Sequence, residues 1–188
     1  MQTYIAILRG INVSGHKIIK MAELSRHLAS LGLSYLTTYI QSGNIVFQTE
    51  ALENSILEEK IHQNIKENYG FDVPVIVRSK QEWQLIVNQF PFNVEDYDVK
   101  RLAITFLKEK PVHIPIEELE KYKASSDEII YHRKEIYLSI PDGFGISKIT
   151  NTVFERKLKV AATTRNWRTT LKLMEMANQL PISTKGAQ

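Results

Sequence analysis

The sequence has no cysteine in its 188 residues, which excludes disulfide bonds and any metal site built on thiolate ligands. Its five histidines show no spacing typical of a metal site, and we expect neither a metal nor another cofactor. The chain also lacks an apolar run near the roughly 20 residues that span a bilayer, and lacks a basic and then apolar leader. These absences predict a cytoplasmic protein with no membrane partner.

Acidic residues are missing from three segments, 1–22, 33–49 and 156–174. Paired carboxylates, which glycosidases and two-metal hydrolases require, would have to come from other parts of the chain. A site built from these segments is positively charged and favours an anionic ligand. The nine basic residues that the segments carry are Arg9, Lys17, Lys20, Arg156, Lys157, Lys159, Arg165, Arg168 and Lys172.

Apolar periodicity predicts seven elements in each half of the chain, in the order strand, helix, strand, strand, helix, strand, helix. In the first half, for example, Met21, Leu24 and Leu28 recur at helical spacing. Ser79 and Glu82 form a capping box at the start of a later helix. This order is that of a ferredoxin-like βαββαβ unit with one helix appended. The predicted fold class is therefore α+β, a tandem duplication of ferredoxin-like units with antiparallel sheets.

The repeat also predicts the domain boundaries and one pair of neighbouring loops. We expect an N-terminal lobe at 1–92 and a C-terminal lobe at 100–188, joined by a linker at 93–99. In a βαββαβ unit, the end of the first strand and the hairpin between the second and third strands lie at the same end of the sheet. Arg9–Lys20 and Gln41–Asn44 are therefore predicted to be neighbours. Because the halves share few identical residues, the alternative is an accidental recurrence of the element order.

Three short motifs resemble those of a known family. They are Leu8-Arg-Gly-Ile-Asn-Val13, Tyr39-Ile-Gln-Ser-Gly-Asn44 and Thr164-Arg-Asn-Trp-Arg-Thr169, in this order. Over essentially its full length the chain resembles a bacterial family known as domain of unknown function 1697. It departs from that pattern at Ser14, where glycine is usual, and at Thr164, where alanine is usual. The resemblance implies two ferredoxin-like lobes and no established activity.

The acid-free segments supply the candidate binding residues. We predict that the loop after the first strand and the turn before the last helix form one anion site, because the unpaired N–H groups at a helix start favour anions. Asn166 is the predicted N-cap of that helix, and Trp167 either anchors the helix in the core or offers a stacking face. The predicted ligand-binding residues are Arg9, Asn12, His16, Lys17, Gln41, Ser42, Asn44, Arg165, Asn166, Trp167 and Arg168.

Arg78 and Arg165 occupy equivalent places in the two halves, at the end of the fourth strand of each. Glu82 provides a carboxylate close to Arg78, whereas Arg165 has no acidic residue within nine positions on either side. We therefore expect Arg78 to have a structural role and Arg165 to bind the ligand.

No catalytic residue follows from the sequence. Ser14 and His16 lack the G-x-S-x-G spacing of a nucleophile elbow, and Gly10–Gly15 matches neither the dinucleotide-binding nor the Walker pattern. An RRM-type RNA-binding protein is an alternative, since that fold has the same core. Its base-stacking aromatics would be Tyr4 and Phe47, which are equally suited to the core.

Two functions from different classes fit these patterns. The first is a binding module that holds an anionic, phosphate-bearing small molecule or a nucleic acid in a basic cleft between the two lobes. The alternative is an enzyme acting on a phosphorylated or other anionic substrate, with Arg9, Arg165 and His16 positioning it. The sequence does not separate the two, and it leaves the oligomeric state open.

Overall fold

The structure, a computed structural model, describes residues 1–181, so that the last seven residues of the predicted C-terminal lobe lie outside the described part. The first half of the chain forms four strands and three helices. These are β1 (Gln2–Leu8), α1 (Met21–Ala29), β2 (Ser34–Tyr39), β3 (Asn44–Thr49), α2 (Asn54–Tyr69), β4 (Val75–Ser79) and α3 (Lys80–Asn88).

The second half repeats this order. A short 3-10 helix at Val99–Arg101 leads into it. Its elements are β5 (Leu102–Leu107), α4 (Ile116–Glu120), β6 (Glu128–His132), β7 (Glu135–Ser139), α5 (Asn151–Leu158), β8 (Ala162–Asn166) and α6 (Trp167–Gln179).

The two sheets have the same topology. One has the strand order β2-β3-β1-β4 and the other β6-β7-β5-β8. The strands β1 and β5 occupy the same inner position, and each pairs antiparallel with both of its neighbours. The registers also correspond. Ile5 lies opposite Arg78 in the first sheet, and Ile104 lies opposite Arg165 in the second. The predicted tandem ferredoxin-like architecture is therefore confirmed.

Each sheet packs one face against its helices, as the alternation of residues along a strand requires. In the first sheet, the alternate residues Tyr4, Ala6 and Leu8 of β1 join the core cluster that contains residues of α1 and α2. In the second sheet, Ala103 and Leu107 of β5 do the same with residues of α4 and α5. Alternate residues of β1 and β5 thus meet the helices, although both strands are buried along nearly their whole length.

A buried carboxylate in α2 completes the edge of the first sheet. The edge strand β4 has backbone N–H groups that no strand accepts, and buried N–H groups need a partner. Glu58 is 4% exposed, and its Oε1 accepts the N–H of Val77 at 2.9 Å. Ile56 has the apolar spacing of α2 but is 43% exposed. The buried face of α2 therefore includes Glu58 beside the apolar Leu57, Ile61 and Ile65, while Ile56 lies outside it.

The predicted capping box at the start of α3 is confirmed. The backbone N–H of Ser79 donates to Glu82 Oε2 at 2.7 Å, and the N–H of Glu82 donates to Ser79 Oγ at 3.2 Å. Asn54 Nδ2 donates to the same carboxylate at 2.8 Å. Burial alone would raise the pKa of the Glu82 carboxyl, but these hydrogen bonds outweigh it and keep that pKa below its ordinary value.

The described chain forms two compact units. The first contains Met1–Leu85 with the described residues from Lys172 on, and the second contains Ile86–Leu171. The divisions thus fall inside α3 and α6. The boundaries predicted from the sequence, with a linker at 93–99, stay a prediction for proteolysis to test. Among the helices of residues 1–181, none combines the length and the hydrophobicity that a membrane-spanning segment requires.

Candidate functional site

The candidate loop begins where β1 ends, between its two neighbouring strands. The N–H of Leu8 donates to Gly43 O at 2.8 Å, and the N–H of Arg9 donates to Pro74 O at 3.0 Å. These two bonds fix the backbone at the point from which the Arg9 side chain leaves. Arg9 itself is partly buried and has polar or charged partners.

Asn12 holds the loop together with both ends of its side-chain amide. Its Nδ2 donates to Ile19 O at 2.9 Å and to Gln41 O at 2.7 Å, and its Oδ1 accepts the N–H of Ile19 at 2.8 Å. One side chain therefore joins the two ends of the loop to the β2–β3 hairpin. The predicted proximity of Arg9–Lys20 and Gln41–Asn44 is confirmed.

The loop backbone is strained. Left-handed φ values cost a non-glycine residue roughly 1–2 kcal/mol, and they persist only where surrounding contacts hold them in place. Three non-glycine residues of the loop have such values, a density that is uncommon outside functional sites. The residues with positive φ are Gly10 (69°), Asn12 (53°), Ser14 (49°), Gly15 (78°) and Lys17 (47°).

The β2–β3 hairpin contacts the start of the loop. Gly43 has a φ of +74°, and a Cβ at this position would lie 2.6 Å from Leu8 Cβ. Asn44 is fully buried, and its Nδ2 donates to Tyr39 O at 3.0 Å and to Ser42 Oγ at 2.9 Å. The Asn44 side chain thus closes the turn, while Gln41 is exposed and offers its backbone carbonyl to Asn12.

Folding brings carboxylates to the acid-free loop. Lys17 Nζ donates to the backbone carbonyl of Asp72, and the Asp72 carboxylate lies 2.7 Å from His62 Nε2. The hydrogen bond with His62 keeps the pKa of the Asp72 carboxyl below its ordinary value. Lys20 Nζ lies 3.4 Å from Glu23. Lys17 and Lys20 therefore have acidic neighbours that the segment composition did not predict, whereas His16 is exposed and bonds to Val13 only through its backbone.

The second candidate segment joins β8 to α6. Asn166 Oδ1 accepts the N–H of Thr169 at 2.7 Å, which confirms the predicted N-cap. Arg168 is exposed on the first turn of the helix. Trp167 is 6% exposed and stacks on Phe90, with ring centroids 3.7 Å apart and planes 11° apart. Of the two alternatives for Trp167, the structure shows the anchored one, because Phe90 covers one face of the indole.

Arg165 and Arg78 are both buried and both bond to the backbone of their own strand, while the charge of Arg78 also acts on the Glu82 carboxylate. Arg165 is 7% exposed, and its Nη1 donates to Thr163 Oγ1 and to Thr164 O, each at 2.9 Å. Arg78 is 3% exposed, and its Nη1 donates to Val77 O at 2.9 Å. Both also make further polar contacts. Burial and backbone bonding therefore do not distinguish a structural arginine from a ligand-binding one.

The predicted site residues thus fall into two groups. Arg9, Asn12, His16, Lys17, Gln41, Ser42 and Asn44 come together in the first compact unit, and Arg165, Asn166, Trp167 and Arg168 lie in the second. Their union in one composite site stays a prediction. Sequence reasoning missed Asp72, which lies between α2 and β4 and whose backbone carbonyl accepts Lys17 Nζ, and His62 of α2, which contacts the Asp72 carboxylate.

The aromatics of the RRM alternative lie in the core. Tyr4 and Phe47 stack on each other with centroids 5.8 Å apart, and both are buried in the cluster shared with α1 and α2. An RRM stacks bases on the face of the sheet that its helices leave open. The structure therefore contradicts a base-stacking role for these two side chains. Within residues 1–181, no group of three or more His, Asp or Glu side chains is placed to hold a metal ion.

Comparison with known proteins gives a family and a fold. The sequence profile of the family described as "Protein of unknown function (DUF1697)" matches residues 1–137. The structure of a conserved bacterial protein from Streptococcus pneumoniae is similar over 94% of this chain and 98% of that chain, with 22% sequence identity and a TM-score of 0.68. At this identity the likeness shows a shared fold alone. No curated protein matches the chain.

Proposed function

This chain belongs to the DUF1697 family of proteins of unknown function, and from its own residues we propose that the Arg9–Lys17 loop binds a phosphate-bearing small molecule. The observation that carries the proposal is the Asn12 amide, which uses three hydrogen bonds to hold a strained loop without carboxylates in one shape. Strain maintained in this way at an exposed loop is typical of binding sites.

The chemistry of the loop suits a phosphate group. Alternating positive and negative φ values, as in residues 10–14, can turn backbone N–H groups towards one side, where they can surround an anion. The loop also runs directly into α1, whose N-cap residue Lys20 makes no side-chain capping bond. The first N–H groups of a helix add a partial positive charge. Phosphate has enough acceptor oxygens to use several such donors together.

The residues of the loop have different roles in binding the anion. His16 and Lys17 contact the anion, and Arg9 adds charge at the base of the loop. Asn12, Ser42 and Asn44 act indirectly, since their side-chain hydrogen bonds shape the loop and the adjoining β2–β3 hairpin. A contribution of Arg165 and Arg168 to the same ligand belongs to the composite-site prediction, which an Arg168→Ala variant tests.

A titration of the full chain tests the proposal. Pyrophosphate, a mononucleotide and a single-stranded oligonucleotide are added separately, while backbone NMR shifts and calorimetry report binding. We expect pyrophosphate or the mononucleotide to shift the resonances of residues 10–17. We expect Lys17→Ala to weaken binding about fivefold, which corresponds to about 1 kcal/mol for an exposed charge contact. Asn12→Ala should weaken it more, because the loop loses its shape.

Arg26→Ala is the matched control, since Arg26 is exposed on α1 in the same compact unit and outside the loop. Equal effects of Lys17→Ala and Arg26→Ala, or no shifts in residues 10–17 with any ligand, would refute the proposal. Binding of the oligonucleotide alone, with a steep salt dependence, would assign the basic surface to nucleic acid instead. Release of inorganic phosphate from the mononucleotide would identify an enzyme.

A further inference from the structure

The first compact unit contains a cavity whose lining residues all lie outside the proposed anion loop. Its volume is about 620 Å³, within the range of roughly 300–1,000 Å³ that is usual for small-molecule sites. The apolar side chains that line it are Met1, Leu85, Leu180 and Pro181. None of its lining residues belongs to Arg9–Lys17 or to the hairpin at 41–44.

One side of α3 forms a wall of this cavity. Residues 80, 81, 84 and 85 all line it, which is the spacing of a single helix face. Trp83 and Ile86 of the same helix are buried in the protein instead. Leu85 is therefore left 55% exposed on the cavity side, although a leucine at this position would be expected to seek burial.

A buried glutamine gives the cavity a fixed shape. Gln48 is 3% exposed, and its Nε2 donates to Thr3 Oγ1 at 3.1 Å and to Pro181 O at 2.7 Å. These bonds join β3 to β1 and to Pro181, two residues after the end of α6. A wall that is held before the ligand arrives reduces the entropy lost on binding.

Lys80 supplies the charge at the cavity. Its side chain is partly buried, and no carboxylate among residues 1–181 forms an ion pair with it. The nearest acidic residue in the chain, Glu82, is already bound to Asn54 and Ser79. A single ammonium group beside an apolar wall is complementary to a ligand with one negative charge and an apolar body.

We propose that this cavity binds a small apolar carboxylic acid, with the hydrocarbon part against Leu85 and Leu180 and the carboxylate at Lys80. A carboxylate fits this lining, because Lys80 is the one cationic side chain that the described residues 1–181 place at the cavity. This site is separate from the anion loop and does not depend on it.

Calorimetry and methyl NMR with the full chain test the proposal, with butanoate, hexanoate, octanoate and octan-1-ol as probes. Octanoate is expected to shift the methyl resonances of Leu85 and Leu180. Each methylene group added between butanoate and octanoate should strengthen binding by up to about fourfold, the value for complete burial of a methylene group. Lys80→Gln should weaken octanoate binding about fivefold and leave octan-1-ol binding unchanged.

Two further variants distinguish a loss of binding from a loss of folding. Leu85→Gln changes an exposed side chain, and it should weaken the binding of octanoate and of octan-1-ol alike. Lys60→Gln, an exposed lysine on α2 outside the cavity, should change neither.

Three results would overturn the proposal. The first is octan-1-ol binding as tightly as octanoate in both the unmodified chain and Lys80→Gln. The second is the absence of any shift at Leu85 and Leu180 with octanoate at millimolar concentration. The third is self-association that octanoate reverses, seen by analytical ultracentrifugation, which would assign the apolar wall to contact with a second copy. Failure here leaves the pyrophosphate titration of residues 10–17 untouched, so the two proposals fail separately.

Discussion

Replacing Gly43 by alanine should destabilise the first compact unit more than any other single-methyl change at a described glycine of that unit. The new Cβ would lie 2.6 Å from Leu8 Cβ and 2.9 Å from Ile11 Cδ1. Real Cβ atoms do not approach other carbon atoms this closely, and Leu8 Cβ, next to the backbone, cannot swing away. Either β1 or the hairpin must therefore move, which would also disturb the loop that Asn12 holds.

The size of the effect has two parts. An alanine at a φ of +74° costs roughly 1–2 kcal/mol, because its Cβ is unfavourable in the left-handed region. Forcing an extra methyl group into a packed core adds typically 1–3 kcal/mol. The sum is about 2–5 kcal/mol, a large part of the roughly 5–15 kcal/mol by which native proteins are stable.

Gly70→Ala is the matched control. Gly70 has a φ of +70°, yet a Cβ there would meet no atom within 4 Å. This variant therefore has the conformational cost alone. The difference between the two variants isolates the steric part, about 1–3 kcal/mol.

Urea unfolding followed by tryptophan fluorescence measures that difference. The chain has two tryptophans, and a Trp167→Phe background leaves Trp83, which is buried in the first unit, as the only reporter. The urea midpoint of Gly43→Ala should then fall clearly below that of Gly70→Ala in the same background. Equal midpoints would show that β1 and the hairpin can separate at no cost, and the close approach at Gly43 would have no energetic meaning.

Three further outcomes are expected. Glu82→Gln keeps an acceptor for the capping box but removes the charge, and it should lower stability at neutral pH by about 1 kcal/mol, because hydrogen bonds to a charged group are stronger. Since the folded pKa of Glu82 is lowered, its contribution is present above the ordinary pKa of a glutamate and is lost as the pH falls through the folded pKa. Urea midpoints of the variant and the unmodified chain should therefore converge in acid. A double-mutant cycle of Trp167→Ala and Phe90→Ala should give a coupling of about 0.5–1.5 kcal/mol for the stacked pair, and strict additivity would contradict the stacking. Limited proteolysis should first cleave the interior of the chain at 93–99, and early cleavage inside α2 would contradict the packing of that helix.

The order of the elements was predictable because it depends on local patterns. Helical spacing in Met21, Leu24 and Leu28, and the capping box at Ser79, report short-range geometry that tertiary contacts did not override. The ferredoxin-like topology then followed, because few arrangements accommodate the order βαββαβ. The neighbouring position of the first loop and the hairpin at 41–44 followed from that topology.

The candidate site was less predictable, because the net charge of a sequence segment does not give the charge that surrounds it in the folded protein. The absence of acidic residues from 1–22 suggested an uncompensated basic loop, yet Asp72 approaches Lys17 through a different part of the chain. The same limit applies to Arg165, which is buried and bonded to the backbone of its own strand, as Arg78 is. The absence of acidic residues within nine positions of Arg165 does not predict that its side chain bonds to the backbone of its own strand.

The sequence by itself determined the family, the element order and the residues at which the chain turns, since each depends on neighbours within a few positions. Only the tertiary structure decided which polar side chains contact the loop from other parts of the chain, and that Phe90 covers Trp167. It also decided that Leu85, Lys80 and Pro181 line one cavity. These features join residues far apart in the chain. Their energies arise from burial and close contact, and neither quantity is defined until the chain has folded.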